Sequence, residues 1–227
     1  MKFIGDLHIH SHFSLATSKK LKPEYLEYWG RVKGIKVIGT GDFTHPGWLE
    51  ELREKLVPAE EGLYKLKDEY KIKPKGLMPE IPDNGIRFML TAEISNIYKK
   101  GDKTRKIHNV VFAPDFESVE KIQQSLENIG GNITSDGRPI LGLDARDLLE
   151  IVIEASEDCF FIPAHIWTPW FSALGDKSGF DSIQACYRDL EKHIHAVETG
   201  LSTDAPMHWM CSFLDDYTLI SNSDAHS

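Results

Sequence analysis

Residue types that bind divalent metals recur at the ends of strand-forming runs along this chain, and few folds bring such positions together. His8 and His10 close the first run, which begins at Phe3. Asp42 and His45 follow the second, at 35–39. Glu93 ends the third (86–94), and His165 ends the fifth (159–165). Glu198 ends the sixth (194–198), and Asp224 and His226 follow the last (218–222). Polar turns and helical runs separate them, so a rhythm of strand, polar residues and helix repeats about seven times. That pattern predicts an α/β barrel or a doubly wound sheet. In an α/β barrel, catalytic groups gather at the rim where strands end. Chance would scatter the same residues over both rims and the helices.

Local patterns fill in the rhythm. Side chains alternate along a strand, which puts Asp6, His8 and His10 on one face. Pro23 suits the first turn of a helix and Gly34 its stop. Residues 47 to about 70 carry Glu and Lys at the spacing of a solvated helix face. A proline-rich irregular loop is expected at 71–85. A fourth strand at 107–112 carries His108. Only about 15 residues, with a turn signal at 99–103, separate Glu93 from His108. A parallel crossover hardly fits in that length, so a hairpin is expected, with Glu93 and His108 on one rim. Further helices are expected at 116–129, 143–157, 181–192 and 204–214, with an aromatic loop, Trp167, Trp170 and Phe171, after the fifth strand.

The 227 residues suffice for one domain, and a single unit spanning 1–227 is expected. No apolar run approaches the roughly 20 residues of a membrane span, and no signal peptide is readable at the start. A soluble, cytoplasmic protein follows as the expectation. Three scattered cysteines form no CxxC pair and read neither as a disulfide framework nor as a zinc ribbon. The formal charge of −9 lacks the basic footprint of a nucleic-acid binder. Bound cations would reverse the local sign where the acids are ligands.

Histidine mixed with carboxylate, without thiolate, suits zinc, manganese or iron at a catalytic site better than structural zinc. A carboxylate such as Glu93 can bridge two ions. Such clusters hydrolyse phosphate esters by lowering the pKa of bound water and clamping the attacking and leaving oxygens.

At this point the motifs resemble those of the PHP (polymerase and histidinol phosphatase) phosphoesterases. DLHIHS at 6–11 resembles the first motif of that family and GTGDFTHP at 39–46 a variant of the second. HNVVFAPD at 108–115, PAHI at 163–166 and SNSDAH at 221–226 resemble the later ones. The resemblance implies a distorted (β/α)7 TIM-like barrel holding two or three divalent metals, zinc first, with Mn2+, Fe2+ or Mg2+ as alternatives. It places His8, His10, Glu93 and Asp224 around one ion and Glu93, His108 and His165 around a second. His226 would hold a third, for which His12, Asp42 and His45 are further candidates, and Glu198 joins the ligand candidates. His8, His10, Asp42, Glu93, His165, Asp224 and His226 would carry catalysis. The chain departs from the pattern at Phe43, where the second motif usually has histidine, and at residues 13 to 22, which contain none.

GTGDFTHPGWL, TAEIS, HNVVFAP and PAHIWTPWFS are most similar to the endonuclease Q group within that family. These DNA-repair nucleases nick the strand 5′ of deaminated or missing bases. The resemblance therefore implies damaged DNA as substrate. It also suggests a cysteine zinc-binding segment and a basic helical region beyond residue 227, so a truncated form is expected. Trp167, Trp170 and Phe171 would stack on an extruded base or wedge the duplex, or alternatively cap the core. The alternatives in function are a phosphatase of a small phosphate monoester and a non-catalytic PHP module.

Overall fold

The computed structural model describes residues 2–74 and 79–227; part of the expected 71–85 loop, residues 75–78, lies outside the described residues. In chain order the elements are β1 (Gly5–Asp6), α1 (Pro23–Lys33), β2 (Val37–Gly39), α2 (Pro46–Lys55), β3 (Leu56–Pro58) and β4 (Tyr64–Leu66). Then come β5 (Arg87–Lys100), β6 (Lys103–Ala113), α3 (Phe116–Asn128), β7 (Ile140–Leu141), α4 (Ala145–Ala155) and β8 (Phe160–Pro163). The remainder is α5 (Ile183–Tyr187), β9 (Ala196–Glu198), α6 (Ala205–His208) and β10 (Thr218–Ile220).

β1, β2 and β5 run parallel and curl into one sheet. The expected hairpin is present and long: β5 and β6 pair antiparallel from Leu90–Ala113 out to Lys100–Lys103. β8 returns antiparallel to β6, and β9 and β10 form a separate parallel pair. Backbone bonds stitch the open edges. Ile166 N donates to Glu198 O at 3.0 Å, and a parallel bridge joins Ile9 to Ala225. The outcome is a mixed α/β, barrel-like curl in which the strand ends meet at one rim.

Several elements form for reasons visible in their residues. Pro23 opens α1, and Gly34 closes it in the left-handed region at φ 74°. Asp115 and Asp144 cap α3 and α4 through bonds to Ser118 N and Arg146 N. Trp48, Phe43, Phe88, Leu52 and Leu90 are fully buried beneath them.

Four expectations need correction. The helix expected over 47–70 stops at Lys55, because Pro58 holds Val57 extended and Gly62 turns the chain at φ 71° into the β3–β4 hairpin. The helices expected at 181–192 and 204–214 survive only as the short α5, which runs on into a 3-10 turn at Arg188–His193, and α6, which is followed after a turn by another at Ser212–Leu214. The first strand shortens to Gly5–Asp6, and Phe3 and Ile4 are exposed. Asp6 does not share the histidine face: it accepts from Ser223 N at 3.0 Å and Ser223 Oγ at 2.7 Å.

Candidate metal centre

Glu93 is the centre of the rim. It sits in the middle of β5, buried, and four imidazoles converge on its two oxygens. Oε1 lies 2.6 Å from His108 Nδ1, 3.1 Å from His165 Nε2 and 3.5 Å from His8 Nε2. Oε2 lies 3.3 Å from His10 Nε2. The hairpin register explains His108: Glu93 pairs with Val110, which puts His108 diagonally across on the same face. Asp224 Oδ1 closes the other side, 3.2 Å from His10 Nε2 and 3.5 Å from His8 Nε2. Two donor sets result, His8–His10–Glu93–Asp224 and Glu93–His108–His165, with donor atoms in each within 4.8 Å of one another.

The donor sets fit divalent cations. His8 Nε2 and His108 Nδ1 are buried and have no hydrogen-bond partner among the described residues, although both face Glu93. Orphaned buried nitrogens are costly unless something else takes their lone pairs. Electrostatics say the same. Burial alone would depress the His8 imidazole, but Glu93 and Glu198 outweigh it and push it up to about 10. Burial likewise opposes charge on His10, while Asp224, Asp42 and Glu93 push it up to about 12. Burial would raise Glu93, yet His108, His8 and His10 hold it well below the carboxylate range. Protons thus occupy the ring nitrogens of a carboxylate-rich pocket where a cation can replace them.

A layer of groups behind the donors fixes their orientation. Glu198 does not face the donor sets. It accepts from His8 Nδ1 at 2.9 Å, from His165 N at 2.9 Å and from Asn222 Nδ2 at 2.8 Å. A carboxylate can only accept, so His8 carries its proton on Nδ1 and turns Nε2 inward. Asp42 does the same for His10: Oδ1 accepts from His10 Nδ1 at 3.1 Å, and Oδ2 accepts from Ser11 N (2.7 Å), Ser11 Oγ (2.7 Å) and Ser14 Oγ (2.8 Å). His165 Nδ1 is held by Thr168 Oγ1 at 3.0 Å. Asp42, His165 and Asp224 all adopt positive φ, a strained conformation that clusters at functional sites.

The other candidates are placed apart. His12 pairs with Glu51 at 2.7 Å, and His45 caps α2 by accepting from Gly47 N. Phe43 is buried in the core. His226 stands at the mouth, half-exposed, with its ring 4.5 Å from that of His10. Of the aromatic loop, Trp170 and Phe171 line the cleft of about 320 Å3 above the donors, and Phe171 backs His108 at 4.8 Å. Trp167 instead packs toward His208 and Phe213.

Sequence reasoning missed Arg138. It enters from the 130–139 loop and donates from Nη1 to Glu93 Oε2 at 3.1 Å, half-buried in the same cleft. Its neighbours Gly137 and Pro139 mark only a turn, so a hint of its role lay in nothing but a lone cation in a glycine-rich loop. Gly137 itself is required there, since a Cβ would stand 2.4 Å from Asp42 Oδ2. Asn222 and the serines on Asp42 were also missed.

The curled α/β fold is similar to that of a metal-dependent phosphoesterase and, at higher identity, to that of endonuclease Q. A phosphoesterase from Bifidobacterium adolescentis shares the fold (TM-score 0.59, 13% identity, 100% of this chain and 89% of that one). More specifically, the chain is similar to endonuclease Q. It matches the lesion-specific endonuclease PfuEndoQ from Pyrococcus furiosus at TM-score 0.80 and 32% identity, over 100% of this chain and 49% of that one. Endonuclease Q in complex with a 27-mer duplex bearing an abasic lesion matches equally, over 98% of this chain and 49% of that one. Two curated relatives are uncharacterized. One from Methanocaldococcus jannaschii is 32% identical over 164 residues, 72% of this chain and 16% of that protein. YqxK of Bacillus subtilis is 28% identical over 244 residues, 100% of this chain and 55% of that protein. The chain thus spans about half or less of the length of these relatives. No protein-family model matches it. Among the described residues no helix is long and apolar enough to cross a membrane.

Proposed function

We propose that this chain is the catalytic unit of a metal-dependent phosphodiester hydrolase that nicks DNA 5′ of deaminated or abasic nucleotides. The observation that carries it is Glu93, a buried carboxylate shared by two donor sets whose ring nitrogens His8 Nε2 and His108 Nδ1 lack partners. The likeness to a lesion-specific endonuclease over the whole chain supports the choice of substrate. We read the curl as the seven-stave PHP barrel built from β1, β2, β5, β6, β8, β9 and β10, with residues 1–227 as one unit.

His8, His10, Glu93 and Asp224 would hold one ion, and Glu93, His108 and His165 the other, with zinc the first choice from the nitrogen-rich set. When bound, the ions supply a water of lowered pKa and offset charge on the phosphate oxygens. The residues do the remaining work. Glu198 and Asp42 hold His8 and His10 in the tautomer that points Nε2 inward. Arg138, at the cleft wall, donates to a non-bridging phosphate oxygen, a role suited to its planar fork of N–H groups. His226, at the mouth, stands where a leaving oxygen needs a proton. Trp170 offers a face to a splayed base.

The test presents metal-loaded protein with p-nitrophenyl phosphate and with duplexes carrying a single deoxyuridine or abasic site. Nicking on the 5′ side of the lesion is the expected result, and His10→Ala abolishes it while the protein still folds. Hydrolysis of the small ester alone would make the chain a phosphatase and sink the repair assignment.

A further inference from the structure

The charge of this protein is unevenly spread. Against a formal −9 overall, residues 99–106 hold five cations, Lys99, Lys100, Lys103, Arg105 and Lys106, and one carboxylate, Asp102. These residues form the end of the β5–β6 hairpin. The hairpin does not stop at the catalytic rim. β5 passes Glu93 and continues to Lys100, so the arm runs roughly 20 Å beyond the donor sets at about 3.3 Å per residue. A pocket for a small ester has no use for such an extension.

The arm is built to keep its shape. Lys100 pairs with Asp144 at 2.9 Å, and Arg105 donates to Gly179 O and stacks on Phe180. Ser178 Oγ donates to Lys106 O at 3.1 Å. These contacts fasten the arm to the 171–180 loop. They leave Lys99 and Lys103 on its exposed tip and Lys106 beneath the rings of Trp170 (4.9 Å) and Phe171 (5.2 Å). No carboxylate pairs with Lys99, Lys103 or Lys106 among the described residues. One wall therefore leads outward from the donors: Phe171 against His108, then half-exposed Trp170 over Lys106, then Lys99, which the register places on the same face, with Lys103 beside it across the turn. Stacking surface near the metals and fixed cations farther out match the bases and phosphates of a strand that crosses the cleft.

We propose that the β5–β6 arm is a nucleic-acid docking surface, in which Lys99 and Lys103 hold the phosphate backbone several nucleotides from the scissile bond and Lys106 supports Trp170 near it. The inference rests on the DNA-cleaving assignment above and locates the contact that assignment requires. It also accounts for DNA binding by an acidic chain, since only local charge faces the strand.

The experiment compares the protein with Lys99→Gln/Lys103→Gln and with a control of equal charge change beside the start of β5, Lys33→Gln/Lys65→Gln. A fluorescent duplex with one abasic site is titrated at several salt concentrations, and p-nitrophenyl phosphate turnover is measured in parallel. The arm variant is expected to bind the duplex about tenfold more weakly or worse, with a log Kd against log salt slope reduced by about 2, near 0.9 per lost contact. Ester turnover stays at the unmodified level, and the control matches the unmodified protein in both assays. Equal weakening by the control, or an unchanged slope in the arm variant while the duplex is still nicked, would overturn the arm and leave the endonuclease assignment standing. Ester hydrolysis with no duplex binding by the unmodified protein would overturn both.

Discussion

Replacing Glu198 by glutamine keeps its shape and removes its charge, and the contacts around it fix what must follow. Oε2 accepts from His8 Nδ1 at 2.9 Å and from His165 N at 2.9 Å, and Oε1 accepts from Asn222 Nδ2 at 2.8 Å. A carboxamide has one acceptor oxygen. With that oxygen at the Oε2 position, its NH2 meets the Asn222 amide donor. Asn222 cannot turn round without loss, because its Oδ1 already accepts from Leu7 N at 2.8 Å. With the oxygen at the Oε1 position, it still reaches His8 Nδ1 at 3.0 Å, but the NH2 now meets His165 N–H and crowds the His8 Nδ1–H. Either way a buried donor goes unpaired, at a cost of about 1–3 kcal/mol. Losing the carboxylate behind a ligating histidine typically costs about 10–100-fold in metal affinity or activity, which is about 1.4–2.8 kcal/mol. The two figures agree. A metal titration against a chelating dye at near-neutral pH should therefore show Kd raised about 10–100-fold. The metal-free melting temperature should fall by about 2–12 °C for a chain of this size. A variant with unchanged affinity and unchanged melting would refute Glu198 as the group that orients His8.

Removing metal with a chelator should lower the melting temperature by about 5–10 °C relative to protein at a hundredfold excess of metal over Kd, a stabilisation of about 2.7 kcal/mol; scanning calorimetry reads it, and an unchanged transition would mean that no ion is bound. His8 and His10 titrate at about 10 and 12 in the metal-free fold. Their raised values stabilise the metal-free protein fully below about 6.5, and this contribution falls away as pH rises above that, being gone past about 10 for His8 and about 12 for His10. Metal must displace those protons at neutral pH, so binding should release protons into a weak buffer and tighten as pH rises; affinity that falls with rising pH would contradict the site. Gly137→Ala places a Cβ against Asp42 Oδ2 and Ser14 Oγ. The clash should weaken metal binding through His10 with the fold retained by circular dichroism, and wild-type affinity would show that the 130–139 loop yields freely.

The parts of the fold legible in the sequence were those set by short-range rules. Pro23 and Gly34 bracket α1, and a lone turn signal between two apolar runs announces the β5–β6 hairpin. The errors came where local pattern and tertiary packing disagree. The Glu and Lys spacing over 56–70 is helical, but Pro58 removes a backbone donor, and Tyr64 and Leu66 bury themselves against β5 and its neighbours as a hairpin strand instead. Propensity is a weak prior against such burial.

The site divides along a similar line. Residues that meet at Glu93 were readable because most of them follow short strands that end at one rim, and the hairpin brings His108 to Glu93, although Glu93 and His108 themselves lie mid-strand in β5 and β6 rather than at their ends. The residues behind them were not, because an orienting carboxylate and a ligating one have the same chemistry and the same sequence position. Glu198 and Asp42 end or follow strands just as Asp224 does, yet their lone pairs are spent on His8, His165, His10 and two serines. Only side-chain direction separates the roles. Asp224 keeps Oδ1 facing both His8 and His10, which is why it belongs with Glu93 among the donors. The same distinction bears on the missing motif histidine. Phe43 fills core space beside an Asp42 whose oxygens are already committed, so Asp42 serves the donor sets by holding His10 in place rather than as a donor itself.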